Sequence, residues 1–193
     1  VFLMASLKFL LTLAVMVSVL LLGPGFSYSQ EKELQVQVFL TKKQALEIAF
    51  PGADKVEREK KWLTDEQKTA IADLAMQNFD ANRVTFYVGK RNDAPMGYAV
   101  IDHEIGKSYP ITFMVVLNVD GTVRDVEILI YREPRGWEVR YPSFMDQFTG
   151  KDAEADYRTI NTITGATLSV RAMVKGVSRI SAAYKVLYLS DKP

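Results

Sequence analysis

The spacing of apolar residues changes character four times along the chain. Residues 9–22 are an unbroken apolar or small run, and residues 33–39, "ELQVQVF", alternate and read as a short strand or lead-in. Apolar positions then recur three and four apart in two short windows. Thr41 reads as the N-cap of a helix over "KKQALEIAF" that Pro51-Gly52 stops. Thr64 reads as the N-cap of "DEQKTAIADLAMQ", with Asp65 and Glu66 where the helix dipole favours anions and Ile71, Leu74 and Ala75 as its apolar stripe. Between them "ADKVEREKKW" is almost wholly charged and reads as a solvated connection.

From Val84 the period drops to two. "VTFYVGK" and "GYAVIDHE" read as strands, and "ITFMVVLNVDGTVRDVEILIY" reads as a hairpin whose Asp120-Gly121 supplies positive φ angles to a tight turn. A long connection follows, "REPRGWEVRYPSFMDQFTGKD", in which Tyr141, Phe144 and Phe148 read as core. The chain then returns to helical spacing: Val170, Met173, Val174, Val177, Ile180, Tyr184 and Leu187 make one stripe, while Arg171, Lys175 and Arg179 form a basic row that reads as a wetted face. The expected architecture is α+β: an antiparallel sheet with a long C-terminal helix and a small N-terminal helical preface.

Composition narrows the chemistry. Residues 1–29 combine Lys8, the apolar run, a Gly23-Pro24-Gly25 break and small residues at Ser27 and Ser29, the layout of a secretory signal peptide cut after Ser29. The other reading is a membrane anchor, although the fourteen residues from Phe9 to Leu22 rise only ~21 Å as helix against a hydrocarbon core of ~30 Å. Either reading exports the folded part to a periplasmic or extracytoplasmic location. The chain has no cysteine, which excludes disulfides, thiolate nucleophiles and cysteine-bound metals. The 24 basic and 23 acidic residues become 23 and 23 once Lys8 leaves with the leader, and that balance gives no support for a nucleic-acid partner. His103, alone of its kind, has no cluster of ligands or nucleophile around it in the sequence, so no metal site or hydrolase triad is assigned.

The remaining candidate chemistry lies at residues 162–169, "TITGATLS", where the last helix begins. Gly165 and Ala166 let a group approach the backbone, the first amides of a helix lack internal partners, and the positive dipole end favours a phosphate. Thr164, Thr167 and Ser169 offer hydroxyls beside them. A plain loop and helix cap has the same composition, so the residues by themselves leave both readings open.

"TGATLS" followed by "VRAMVKGV" resembles the flavinylation motif of FMN-binding domain proteins, such as the FMN subunits of Rnf and sodium-translocating NADH:quinone reductase complexes. The likeness covers about residues 84–190, and residues 41–67, within a helical lead-in over residues 30–83, resemble the helical preface of some exported members. It implies FMN held by a phosphoester to Thr167, with Thr164, Gly165 and Ala166 as the motif core and Leu168 and Ser169 following. An ApbE-type flavin transferase, with FAD as donor, would install the group. It also implies that Glu133, Gly136 and Trp137 lie against the flavin, Trp137 being either a ring contact or a core or rim aromatic. Where the family has aspartate ahead of the core, this chain has Asn161. The implied role is an exported electron carrier, a redox-complex subunit and not a stand-alone enzyme, working with a membrane redox protein or cytochrome. The alternative is a non-covalent FMN-binding or flavin-free accessory subunit.

Overall fold

The structure, a computed structural model, describes residues 36–190, so the leader expected over residues 1–29 lies outside the described residues. The chain runs β1 (Gln37–Val38), α1 (Lys42–Ala49), β2 (Lys55–Trp62), α2 (Asp65–Ala75), β3 (Arg83–Arg91), β4 (Ala94–Ile105), β5 (Pro110–Leu117) and β6 (Val123–Tyr131). It continues through a 3-10 turn at Trp137–Arg140, a one-turn helix α3 (Pro142–Met145) and two further 3-10 turns to the long helix α4 (Thr167–Tyr184), which ends in a π turn over Lys185–Leu189. The strands form one antiparallel sheet in the order β1-β6-β5-β4-β3-β2.

Both predicted N-caps form. Thr41 with Gln44, and Thr64 with Gln67, each make a capping box in which the two residues satisfy one another's orphan amides. The charged stretch read as a connection is instead β2, paired along its length with β3. Charge hid it: even its half-buried side carries Glu57, Glu59 and Lys61, so no apolar alternation marks the strand. An edge strand of this composition deters pairing with another chain. The lead-in thus supplies its two helices and also both edge strands of the sheet.

The β3–β4 connection takes positive φ at both central residues, 51° at Asn92 and 60° at Asp93, as a type I′ turn requires. In the β5–β6 hairpin only Gly121 does so, at 92°. Asp120 acts through its side chain instead, accepting from Thr122 N at 2.9 Å and Thr122 Oγ1 at 2.7 Å.

The apolar run of β5 is buried on both faces. Ile111, Phe113, Val115 and Leu117 join the large core under α4, while Met114 and Val116 meet Ala45, Ala49 and Phe50 from the α1 side. Helix α4 lies close to the sheet because Gly176 has no side chain; a Cβ there would sit 2.2 Å from Phe113 Cζ. Its flank packs on α2, where Ile71 meets Ala182 and Ala183. The basic row is only partly a wetted face: Lys175 and Arg179 reach back to Glu104 and Asp102 on β4, and Arg171 is exposed.

Candidate functional site

Residues 163–166 form a turn closed by Ala166 N–H donating to Ile163 O at 3.0 Å, with Gly165 at φ 83°. That left-handed position suits glycine, and the space around it is open, with no atom within 4 Å of where a Cβ would lie. Helix α4 starts at the next residue but one. Its N-cap is Ala166, which has no side chain able to accept from the first turn, in contrast to the capped starts of α1 and α2. The amides of Thr167, Leu168 and Ser169 therefore have no side-chain cap, at the end of the helix where the dipole is positive.

The three candidate hydroxyls are not equivalent. Thr164 and Thr167 are exposed, as is Leu168, whereas Ala166 is buried and Ser169 is only 4% exposed. Ser169 Oγ lies 2.8 Å from Tyr131 Oη, and Tyr131 donates its own proton to Arg135 O at 2.7 Å, so the serine donates to the phenol oxygen. Burial pushes the Tyr131 phenol up to about 12, against the opposing effect of the Ser169 hydrogen bond, and it stays protonated at neutral pH. Ser169 is thus a structural contact, and Thr167 is the accessible hydroxyl of the helix start.

The loop after β6 meets this node through Gly136. It adopts φ 90°, and a Cβ on it would lie 2.6 Å from Ser169 Oγ and 2.8 Å from Tyr131 Oη. Gly136 therefore does lie at the helix start, but the other loop residues make different contacts. Glu133 is 4% exposed and accepts from Ser108 N at 2.5 Å and Tyr109 N at 2.8 Å, so it anchors the β4–β5 turn. Arg135 is exposed. Trp137, 36% exposed, stands edge-on to Tyr141 with centroids 5.4 Å apart. Phe144 and Phe148 are core as expected; Tyr141, 46% exposed, is not, because it starts α3 at the surface beside Trp137. Asn161 is exposed ahead of the turn, and its N–H donates to Gln147 Oε1 at 2.7 Å.

Sequence reading missed Tyr131 and Gln147. A clue to Tyr131 was present: a phenol closing a run of aliphatic strand residues must find a partner for its hydroxyl when buried. Gln147 carried no local signal.

One comparison with known proteins falls on this same part of the fold. Residues 106–181 match the model of the FMN-binding domain, from the β4–β5 turn that Glu133 holds to the fourth turn of α4. The chain is also similar to a subunit of the proton-translocating ferredoxin:NAD(+) oxidoreductase complex of Clostridium ljungdahlii, 26% identical over 123 residues that make up 58% of this chain and 66% of that protein. The matched region thus spans a little under two thirds of that relative.

Proposed function

Since the chain carries an FMN-binding domain, we propose that it is an exported electron-transfer flavoprotein in which FMN is esterified to Thr167. The observation that carries the reading is the exposed Thr167 hydroxyl on the first residue of a helix whose N-terminal amides have no side-chain cap. The residues fit the group: the amides of Thr167, Leu168 and Ser169 suit its phosphate, and Gly165 and Thr164 leave the approach open. FMN accepts two electrons and releases them singly, and the protein sets its position and the charges around it.

Attachment needs a flavin transferase of the ApbE type. The Oγ–P bond forms at Thr167, the pyrophosphate bond of FAD breaks, AMP leaves with the electron pair, and the threonine proton is released. The electron partners would be a membrane redox protein or a cytochrome, in keeping with the likeness to a subunit of a proton-translocating oxidoreductase complex. Export by the leader would place the protein on the periplasmic or extracytoplasmic side. Among the described residues no helix is long and apolar enough to cross a membrane.

Asn161 supports the second reading, in which FMN is held without the ester or is absent from an accessory subunit. Intact mass after co-expression with an active flavin transferase separates the two. The first reading expects an adduct of one FMN less one water, kept in Thr164→Ala and Ser169→Ala and lost in Thr167→Ala. It also expects faster modification of Asn161→Asp. Quantitative recovery of an unmodified peptide spanning Thr167 would overturn it.

A further inference from the structure

The two faces of the sheet carry different charge. In strands β2, β3 and β4 every acidic side chain points to the α4 side, and each is taken up there. Arg179 bridges Asp102 and Glu104, Tyr188 Oη donates to Glu59 at 2.7 Å, and Glu57 pairs with Lys55 and Lys90. Arg58, Lys60 and Trp62 of β2 stand on the other face, directly across from Tyr87, Thr85 and Arg83 of β3. His103 and Ile105 share that face, because they alternate from Ala99, which pairs with Tyr87. Helix α1 covers the middle of the face, at Ala99, Met114, Val116 and Leu129, and leaves the end with Trp62 and Ile105 open.

We propose that this open end of the sheet is a docking face for an anionic phospholipid bilayer. The inference goes beyond the flavin reading and does not depend on it. Helix α4 packs on the opposite face, so a chain docked this way keeps Thr167 on the side turned to solvent.

Charge complementarity carries the assignment. Among the described residues, Arg58, Lys60 and Arg83 are exposed and none is in an ion pair; Arg83 lies 5.3 Å from the centroid of the Trp62 ring. Arg132 continues the row, its guanidinium held by Pro110 O and Thr112 Oγ1 and by no carboxylate. Protecting an edge strand requires charge of either sign and does not require the signs to be sorted between two faces. The apolar side chains around these cations favour a bilayer over an acidic protein. Trp62 is 70% exposed and Ile105 53%, and Val38, which pairs with Ile130 on the far edge of the same face, is 59% exposed. With six strands at ~4.8 Å spacing the row spans roughly 24 Å. Cations suit the lipid phosphates, an exposed tryptophan suits the headgroup boundary, and the aliphatic tips reach the first acyl carbons.

The test uses the full chain carrying Trp137→Phe, which leaves Trp62 as the single emitter of the two tryptophans in the sequence. On phosphatidylglycerol vesicles brominated along the acyl chains, Trp62 emission should shift to the blue and be quenched several-fold. On brominated phosphatidylcholine, or on either lipid at ~0.5 M salt, where charges are screened within a few ångströms, it should stay as in solution. Each cation near an anionic surface contributes about fivefold to binding, so Arg58→Gln/Lys60→Gln should lose most of the quenching. Arg135→Gln/Arg171→Gln, which removes two cations away from this face, should keep it. All four side chains are exposed, so the variants leave the core as it is. Quenching as strong on phosphatidylcholine as on phosphatidylglycerol, or lost equally in the two double variants, would overturn the assignment. So would an unquenched Trp62 on the anionic vesicles; if polyglutamate then shifted its emission, the face would belong to an acidic protein instead.

Discussion

Tyr131 joins two segments that are far apart in sequence. Its hydroxyl holds Arg135 O on one side and Ser169 Oγ on the other, so the loop after β6 and the first turn of α4 are set by one side chain. Tyr131→Phe keeps the ring volume but leaves the Ser169 hydroxyl buried without its acceptor. Such a loss costs ~1–3 kcal/mol, and urea unfolding should register it. The double variant Tyr131→Phe/Ser169→Ala, with both polar groups gone, should recover part of that loss; strictly additive losses would mean the bond contributes nothing. The node also shows where sequence reading stops. The Thr41 and Thr64 caps and the Thr164-Gly165 turn were legible because their partners lie within four residues. The anchoring contacts of Glu133 were not, because the amides that it accepts from lie 24 and 25 residues upstream, beyond any local pattern.

Elements were legible where their apolar period was intact. Strands β3, β4 and β6 and helix α4 follow the periods that a buried face imposes and β5 is a continuous apolar run buried on both faces, whereas β2 was lost because its partly covered side is charged. The same coupling of charge to fold appears where α4 crosses β4. Asp102 and Glu104 share one side of β4, and Arg179 bridges them at 2.9 and 2.6 Å while Lys175 meets Glu104 at 2.9 Å. Burial works to raise the Glu104 carboxyl, but Lys175 and Arg179 outweigh it and hold it below the usual carboxylate range. A depressed folded-state pKa means that the stabilisation is complete above the unfolded value of ~4.3 and is lost as pH falls through the folded value. Glu104→Gln should therefore cost ~1–3 kcal/mol at pH 7, with Arg179 still held by Asp102. Thermal melts from pH 7 downward should show the gap to the parent closing below about pH 4. A gap that stayed constant to pH 2 would assign the loss to packing and not to charge.

For the whole molecule, the matched domain of residues 106–181 is smaller than the unit that the packing makes. The chain ahead of residue 84 closes the sheet at both edges, β1 on β6 and β2 on β3. It also covers the second face of the sheet, where Ala45, Ala49 and Phe50 sit on Met114, Val116 and Leu129, and it places Ile71 against Ala182 and Ala183. Removing it would bare those apolar side chains and leave β3 as an open edge, a template for pairing between chains. A fragment of residues 84–190 should therefore bind a hydrophobic dye, self-associate and lack a cooperative urea transition, whereas residues 36–190 should unfold in a single step. The boundary at 84, read from the onset of period-two spacing, marks where the pattern becomes visible, which need not be where folding can begin. If the short fragment unfolded cooperatively with the stability of the longer one, the lead-in would be an appendage.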